Sequence, residues 1–205
     1  MLAVAQVYAS EAVSVGGGQL TIQTDWHPEA VRVLGNSSAH YTTGRLQTQG
    51  RKSWGPYGQF EATARMPGAY GLNNAVWLMP ESAVKSYTEF DIMELLGRNT
   101  SVGHGTYHYG APSGPLHHRS GGEFVYKRGL NDGFHTYGLL WTRDGLWWYV
   151  DNTIYHHFKL PSNATAPSVF FILQSNVGSN WAGKPKASDY PAKMVVDRVR
   201  VLGSQ

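Results

Sequence analysis

Residues 135–160 read HTYGLLWTRDGLWWYVDNTIYHHFKL, and this stretch predicts three consecutive antiparallel β-strands. Apolar and polar residues alternate along HTYGLLWT (135–142), GLWWYVD (145–151) and TIYHHFKL (153–160). The first two segments flank Thr142 to Gly145, and the last two flank Asp151-Asn152, a pair that tolerates the positive φ of a two-residue turn. The stretch therefore predicts an antiparallel sheet assembled from hairpins.

The same alternation recurs in seven further segments, each bounded by Gly, Pro, Asn, Asp or Ser. They are QLTIQT (19–24), YGQFEATARM (57–66), NAVWLM (74–79), EFDIM (89–93), GTYHYG (105–110), SVFFILQSN (168–176) and KMVVDRVRVL (193–202). The sequence contains no internal repeat, low-complexity tract or linker. We therefore expect a single domain over residues 1–205, an all-β sandwich of two antiparallel sheets or a jelly roll.

The composition supports this fold class and excludes several kinds of function. The 24 Gly, 10 Pro, 7 Trp, 12 Tyr and 7 Phe suit short strands joined by tight turns. A net charge of +3 without a Lys/Arg cluster indicates no nucleic-acid partner. The longest apolar run, SVFFIL, is far shorter than the ~20 residues of a membrane helix, so we expect no membrane partner. The absence of cysteine excludes disulfides and thiolate metal sites.

Three carboxylates lie within the six residues EFDIME (89–94). Because alternate residues of a strand share a face, Glu89 and Asp91 point away from the core, whereas Glu94 would point into it. A one-residue β-bulge near Ile92 and Met93 would return Glu94 to the acidic face. The spacing therefore predicts a bulged strand with all three acids on one side.

Three carboxylates on one face repel one another, so at least one should have a raised pKa and hold a proton near neutral pH. A protonated acid beside an ionised one can hydrolyse a glycosidic bond, and retaining glycosidases hold two such groups about 5–5.5 Å apart. Residues two apart on a strand are separated by about 6.5–7 Å along the chain. Acids on either side of a bulge can therefore bracket a glycosidic bond.

EFDIME resembles the E-x-D-x-x-E signature of glycoside hydrolase family 16, in the bulged form typical of laminarinases. Four further segments resemble the family in the same order, over roughly residues 13–202: YGQFEATARMPGAYGLNNAVWLMP (57–80), HGTYHYG (104–110), FHTYGLLWTRDGLWWYVDN (134–152) and YPAKMVVDRVRV (190–201). The resemblance implies a concanavalin A-like β-jelly roll with a concave substrate groove. It also implies that Glu89 is the nucleophile, Asp91 a helper carboxylate and Glu94 the general acid/base.

The resemblance implies a retaining endo-glycosidase that hydrolyses β-1,3- or mixed β-1,3-1,4-linked glucan and needs no cofactor for catalysis. An agarase- or carrageenase-type galactanase is an alternative. A lectin-like glycan-binding module is another, although such a module has no reason to keep both Glu89 and Glu94. The expected partner is a polysaccharide and the expected state a monomer. We expect a secreted or extracellular protein, although the opening MLAVAQVYASEA lacks the basic region of a signal peptide.

Seven residues are candidates for substrate binding: Asn73, Trp77, Arg98, His108, Gln174, Asn176 and Trp181. Trp77 shares one strand face with Ala75 and is either a core residue or a platform for a sugar ring. His108 is a hydrogen-bond partner for sugar or nucleophile, or a structural histidine. Arg98 is the sole basic residue that we can assign to the vicinity of the acids, where a sulfated substrate would require one. Asn73-Asn74 and Gln174 replace the Trp-Pro and Asn common in laminarinases, which bears on the choice of substrate.

Two further features concern metals. The adjacent pairs His117-His118 and His156-His157 point to opposite strand faces and cannot share an ion, so we expect solvated histidines. The resemblance implies a structural Ca²⁺ bound by Asp197 and the carbonyl of Gly18, since calcium prefers oxygen ligands.

Family members usually begin with a strand before the VSVGGGQLTI-like segment, and with twelve residues preceding it here we expect that edge strand to be missing.

Overall fold

The computed structural model of the protein describes residues 6–33, 37–82 and 86–203, which form fifteen β-strands and two 3-10 helices. The strands are β1 (Gln6–Tyr8), β2 (Val13–Gly16), β3 (Gln19–Val33), β4 (Ser37–Thr43), β5 (Arg45–Gln47), β6 (Gly58–Arg65), β7 (Leu72–Pro80), β8 (Tyr87–Leu96), β9 (Val102–Gly110), β10 (His117–Val125), β11 (His135–Trp141), β12 (Gly145–Val150), β13 (Thr153–Lys159), β14 (Val169–Val177) and β15 (Ala192–Gly203). The helices are Ser10–Ala12 and Ala187–Asp189.

The strands form two stacked sheets. The larger has the order β1-β4-β3-β15-β6-β11-β12-β13, with β2 paired to β3, and the smaller has the order β10-β9-β8-β7-β14-β5. Neighbouring strands are antiparallel except β1 and β4, which are parallel. This architecture confirms the predicted all-β jelly-roll sandwich. No helix in the described ranges is long and apolar enough to cross a membrane.

All ten predicted strand segments are strands, and the second predicted hairpin turn has the expected backbone. Asp151 and Asn152 have φ values of 48° and 68°, the positive angles of a two-residue turn. Five strands were not predicted: β1, β2, β4, β5 and β10. They lack the pattern because they are short or polar; β10, for example, reads HHRSGGEFV without apolar alternation. The expectation that an edge strand before VSVGGGQLTI is missing is wrong, because β1 occupies the edge of the larger sheet beside β4.

The core between the sheets is built largely from aromatic rings. Phe90 on β8 stacks on Tyr107 of β9, with ring centroids 5.0 Å apart, and lies 4.8 Å from Trp141 of the opposite sheet. Trp141 and Trp148 are 1% and 0% exposed, so both are core residues. Because β8 buries this face, its opposite face is available for function.

The β-bulge predicted near Ile92 and Met93 is present on β8. On β7, Val76 pairs with Met93 and Trp77 pairs with Asp91, so Ile92 is the extra residue on β8. The indole Nε1 of Trp148 donates a 2.9 Å hydrogen bond to the main-chain carbonyl of Asp91, which anchors the bulge to the other sheet. The ring reaches this carbonyl past Gly105, where a Cβ atom would lie 2.4 Å from Trp148.

Candidate active site

One face of the smaller sheet, which we call the groove face, carries all three acids. Across β9, Glu89 pairs with His108 and Glu94 pairs with His104, on either side of the bulge. Directly paired residues project to the same side of a sheet, so these side chains share one surface. A cavity of about 800 Å³ covers this surface and is lined by Glu89, Asp91, Glu94, His104, Thr106, His108, Arg119, Gly121, Gly122, Glu123 and Trp181.

Both carboxylate oxygens of Glu89 have neighbours. The hydroxyl of Tyr87, two residues earlier on β8, donates a hydrogen bond to Oε2. Nε2 of His108 lies 3.9 Å from Oε1 of Glu89 and 3.1 Å from Oδ2 of Asp91. His108 therefore lies beside Glu89 at a distance too long for a hydrogen bond, and its predicted role stays a prediction; the contact from Tyr87 was not predicted.

Asp91 is the most buried of the three acids, at 4% exposure. Burial, and then the negative charge of Glu89, raise the pKa of Asp91 well above its ordinary value. Oδ2 of Asp91 has no hydrogen-bond partner within the described part of the chain. Nε2 of His108 is 3.1 Å away, but its N–H is not aligned for a hydrogen bond to this oxygen. A protonated Asp91 removes the repulsion between neighbouring carboxylates.

Glu94 has the electrostatics of a general acid. Burial, followed by the charge of Asp91, raises the pKa of Glu94 to about 8. Nδ2 of Asn73 donates a 2.9 Å hydrogen bond to Oε1 of Glu94, which opposes the rise because it stabilises the ionised form. Glu94 therefore holds a proton at neutral pH, as one of the three acids was predicted to do.

Besides Asp91 Oδ2, three polar atoms on the groove face are buried without a hydrogen-bond partner in the described residues: Trp77 Nε1, Asn73 Oδ1 and Gln174 Oε1. Ala75 lies between them, paired with Glu94 on one side and Gln174 on the other. Buried polar atoms are nearly always hydrogen-bonded, so one donor and two acceptors around a small side chain indicate a place for a ligand. A ligand rich in hydroxyl groups satisfies both kinds of atom.

Trp77 lies on the groove face and not in the core, beside an arginine that sequence analysis missed. The guanidinium carbon of Arg45 on β5 is 5.1 Å from the centre of the Trp77 ring, within cation-π range. The two residues meet because β14 pairs with both β5 and β7. No local pattern around Arg45 could have indicated this contact.

Asn176 uses its carbonyl oxygen within the protein. Oδ1 accepts a 2.9 Å hydrogen bond from Nε2 of Gln6 and another from the hydroxyl of Tyr8, both on β1. Asn176 therefore ties the β1 strand to this end of the groove face. Only its amide group is left to donate to a substrate.

Of the predicted residues Trp181 and Arg98, Trp181 is in the groove and Arg98 is not. Trp181 is 40% exposed, lines the cavity and has its ring centre 5.0 Å from that of His104. Arg98 is exposed and does not line the cavity. Burial lowers the pKa of His104, Glu123 opposes this shift, and Arg98 adds to it. The positive charge of Arg98 therefore affects the pKa of His104 in the groove, although the Arg98 side chain does not line the cavity.

The prediction of solvated histidine pairs is wrong for one member of each pair. His117 Nε2 is 2.9 Å from His108 Nδ1, and His156 Nε2 is 3.1 Å from the hydroxyl of Ser120. His118 and His157 are exposed, as predicted. Neighbouring strands bring the partnered histidines inward, which strand parity alone could not show.

Two places bear on metal binding. In residues 6–33, 37–82 and 86–203, the one cluster of potential ligands comprises Glu89, Asp91 and His108, whose ligand atoms lie within 4.8 Å of one another. Asp197 and Gly18 do line a common cavity of about 310 Å³, where Gln19 Nε2 is 3.4 Å from Asp197 Oδ1. Its described lining is mainly apolar with one carboxylate, a poor match for calcium with six to eight oxygen ligands. The structural Ca²⁺ stays a prediction.

Comparison with known proteins agrees with this geometry. Residues 3–200 match the sequence profile of the glycosyl hydrolases family 16. A β-glucanase from Rhodothermus marinus is 34% identical over 212 residues, covering 93% of this chain and 70% of that protein. A glucan endo-1,3-β-glucosidase A1 from Niallia circulans is 31% identical over 217 residues; the match covers 96% of this chain but 31% of that longer protein.

The solved laminarinase structure from Rhodothermus marinus has the same fold. It superposes with a TM-score of 0.85 at 31% sequence identity, covering 98% of this chain and 85% of that one. The laminarinase catalytic domain from Thermotoga maritima superposes with the same score at 26% identity, covering 100% and 85% of the two chains. The sandwich is therefore that of the two laminarinase structures.

Proposed function

The chain belongs to the glycosyl hydrolases family 16 and is a glycoside hydrolase, and we propose that it is a retaining endo-β-glucanase acting on β-1,3- or mixed β-1,3-1,4-linked glucan. One observation carries the mechanism: the bulge on β8 brings an ionisable Glu89 and a Glu94 with a pKa of about 8 onto one face, with Asp91 between them. This division of protonation states is what a two-carboxylate mechanism needs at neutral pH.

In the first step, the ionised carboxylate of Glu89 attacks the anomeric carbon of the sugar. The bond from that carbon to the leaving sugar breaks, and its electron pair goes to the glycosidic oxygen. Glu94 gives its proton to that oxygen as the bond breaks. The products are a glycosyl ester on Glu89, a released sugar chain and an ionised Glu94.

In the second step, Glu94 acts as the base. It takes a proton from a water molecule, whose oxygen attacks the anomeric carbon from the side that the first sugar chain left. The ester bond to Glu89 breaks and its electron pair returns to the carboxylate. Two inversions give net retention. Asp91, neutral because of its burial, keeps the charge on Glu89 unopposed.

The unpartnered atoms of Asn73, Trp77 and Gln174 support a polysaccharide as substrate, because sugar hydroxyls both donate and accept hydrogen bonds. The relatives named as β-glucanase and endo-1,3-β-glucosidase support a glucan as that polysaccharide. We expect a single chain to hold all the catalytic groups, since all three acids come from β8. A polymeric substrate also favours action outside the cell.

A galactanase of the agarase or carrageenase type is the second candidate. Asn73 and Gln174 stand on the groove face where laminarinases commonly carry Trp and Asn, so the sugar contacts differ from those enzymes. Arg45, exposed above the Trp77 ring, adds a positive charge that a sulfate group on the substrate would contact. The same acids would carry out the same chemistry on either polymer.

The test is hydrolysis of laminarin, lichenan, agarose and κ-carrageenan, with products identified by chromatography and the anomer formed followed by NMR. We expect β-anomers from laminarin or lichenan, and a loss of about 10³-fold or more in Glu89→Gln and Glu94→Gln. Glu123→Gln, which changes another acid of the same cavity, is the matched control. Initial formation of the α-anomer would rule out retention, and glucan binding without release of reducing ends would favour the lectin-like alternative.

A further inference from the structure

Tyr87 and His117 contact the catalytic groups, yet neither takes part in the mechanism described above. Tyr87 donates its hydroxyl to Oε2 of Glu89. The ring of His117 lies 5.9 Å from that of Tyr87 at 66°, an edge-on contact, and its Nε2 is 2.9 Å from Nδ1 of His108. His108 in turn faces Asp91. These contacts link Glu89 through Tyr87, His117 and His108 to Asp91.

We propose that Tyr87 is a positioning residue that orients the Glu89 carboxylate and assists its departure from the glycosyl ester, and that His117 holds Tyr87 and His108 in place for this. The inference rests on the proposed retaining mechanism. It adds two residues that lie outside the E-x-D-x-x-E motif and that belong to two different strands, β8 and β10.

The strand geometry explains why Tyr87 reaches its target. Residues two apart on a strand point to the same side, so Tyr87 and Glu89 are neighbours on the groove face. The hydrogen bond to Oε2 restrains rotation of the carboxylate, which leaves Oε1 to face the sugar and His108. A carboxylate held in one orientation loses less freedom when it attacks.

The hydrogen bond has unequal effects on the two chemical steps. In the first step Glu89 loses its charge, so the bond to Tyr87 weakens towards the ester. In the second step the carboxylate regains its charge as the ester bond breaks, and the hydroxyl of Tyr87 stabilises the charge that develops on it. Tyr87 should therefore matter most for release of the sugar from Glu89.

The surroundings of Tyr87 favour a hydroxyl that keeps its proton. Burial raises the pKa of Tyr87, and its hydrogen bond to Glu89 and the charges of Glu89 and Asp91 raise it further. The other titratable groups facing the groove are Glu94 on β8, His104 and His108 on β9, and His117, Arg119 and Glu123 on β10. Tyr87 therefore serves as a hydrogen-bond donor throughout the pH range in which the enzyme can work.

The experiment uses Tyr87→Phe, which removes one hydroxyl and keeps the ring, with an aryl β-glycoside whose good leaving group makes the second step limiting. We expect kcat to fall about 10- to 100-fold, the loss produced by removing a hydrogen bond to a charged group. KM should fall in parallel, so that kcat/KM changes by less than about threefold. Mass spectrometry of the quenched enzyme should show more glycosylated Glu89 than in the wild type.

The opposite face of the same strands supplies matched controls. Tyr109 and His118 form a similar ring pair there, 5.4 Å apart, with no contact to the acids among the described residues. Tyr109→Phe and His118→Ala should leave kcat and the adduct level unchanged. His117→Ala should act like Tyr87→Phe with a smaller loss of about 3- to 10-fold, and His117→Gln should restore part of it.

Two results would overturn the inference while the proposed function stands. One is a Tyr87→Phe enzyme with wild-type kcat; the other is a Tyr87→Phe enzyme whose kcat/KM falls with kcat and that accumulates no adduct, which would indicate a purely structural role. A wild-type enzyme that first releases the α-anomer from a β-linked glucan would reject the retaining mechanism, and this inference with it.

Discussion

Asn73 donates a hydrogen bond of 2.9 Å from its Nδ2 to Oε1 of Glu94, the proposed proton donor. The bond stabilises the ionised carboxylate and so opposes the rise caused by burial and by Asp91, and the net pKa of Glu94 is about 8. Asn73 and Asp91 therefore have opposite effects on the pKa of Glu94. Asn73 should set the upper end of the pH range in which Glu94 is protonated.

Asn73→Ala should therefore move the basic limb of the kcat/KM profile to higher pH, by about half a unit to one unit. The sign follows because loss of a donor to the carboxylate favours its protonated form. The profile is measured on the glucan that the wild type cleaves best. Asn180→Ala, at an exposed position, is the control. A basic limb that stays in place or moves down in Asn73→Ala would show that the hydrogen bond does not tune Glu94.

The buried carboxyl of Glu94 should also make stability depend on pH. Its pKa is raised to about 8 in the folded protein from 4.5, so its favourable contribution is complete below 4.5 and is lost as the pH rises through 8. Glu94→Gln should become more stable than the wild type as the pH rises, by about 1–3 kcal/mol at pH 9, a value that allows for the partial exposure of Glu94 to the groove.

Chemical denaturation of both proteins at pH 5, 7 and 9 measures this difference. The stability gap should be widest at pH 9 and smallest at pH 5. Glu123→Gln alters an exposed carboxylate and should show no such trend. A gap that is constant with pH would mean that Glu94 is not protonated in the folded protein near neutrality.

Trp148→Phe tests the anchor beneath the bulge. The substitution removes the 2.9 Å hydrogen bond to the Asp91 carbonyl and leaves that buried group without its partner. We expect a loss of about 1–3 kcal/mol in unfolding free energy, and a fall in kcat because the bulge no longer holds the acids in register.

Trp147→Phe is the matched control. Trp147 immediately precedes Trp148 on β12, so it points to the other face of the sheet, where it stacks on the exposed His157. Thermal unfolding and initial rates are measured for both variants. Equal losses in the two proteins would contradict a specific role for the Trp148 hydrogen bond.

Arg45→Ala tests the end of the groove formed by β5 and β7. The guanidinium lies 5.1 Å from the Trp77 ring, and such a contact is worth about 0.5–2 kcal/mol. We expect KM to rise about 3- to 10-fold with little change in kcat, because the acids are untouched. Arg51→Ala, at another exposed arginine, should match the wild type. A fall in kcat alone would place Arg45 in catalysis instead of binding.

Strand parity was sufficient to predict the catalytic strand. Glu89 and Asp91 share a face by alternation, and the position of Glu94 required an extra residue, which the structure places at Ile92. The second hairpin turn at Asp151 and Asn152 was also predictable, since few residue pairs accept positive φ at two successive positions. Both features depend on residues adjacent in the chain.

The contacts of the other groove residues depend on strand order. Arg45 meets Trp77 because β14 lies between β5 and β7, and Gln6 reaches Asn176 across 170 positions of sequence. The pairing of His117 with His108 required β10 to be recognised as a strand, which its polar sequence HHRSGGEFV concealed. Tyr87 was within reach of sequence reasoning, because it lies two residues before Glu89 on one face.

The order of apolar and acidic residues was enough to establish a two-sheet sandwich with three carboxylates on one face of a bulged strand, because alternation and bulges are local properties of a single strand. Tertiary structure alone decided which acid keeps its proton and which residues surround it. Those outcomes depend on burial and on neighbours from other strands: Trp148 beneath Asp91, Asn73 beside Glu94 and Tyr87 with His117 around Glu89. Desolvation and hydrogen bonding act through space, so they appear only when the sheets are assembled.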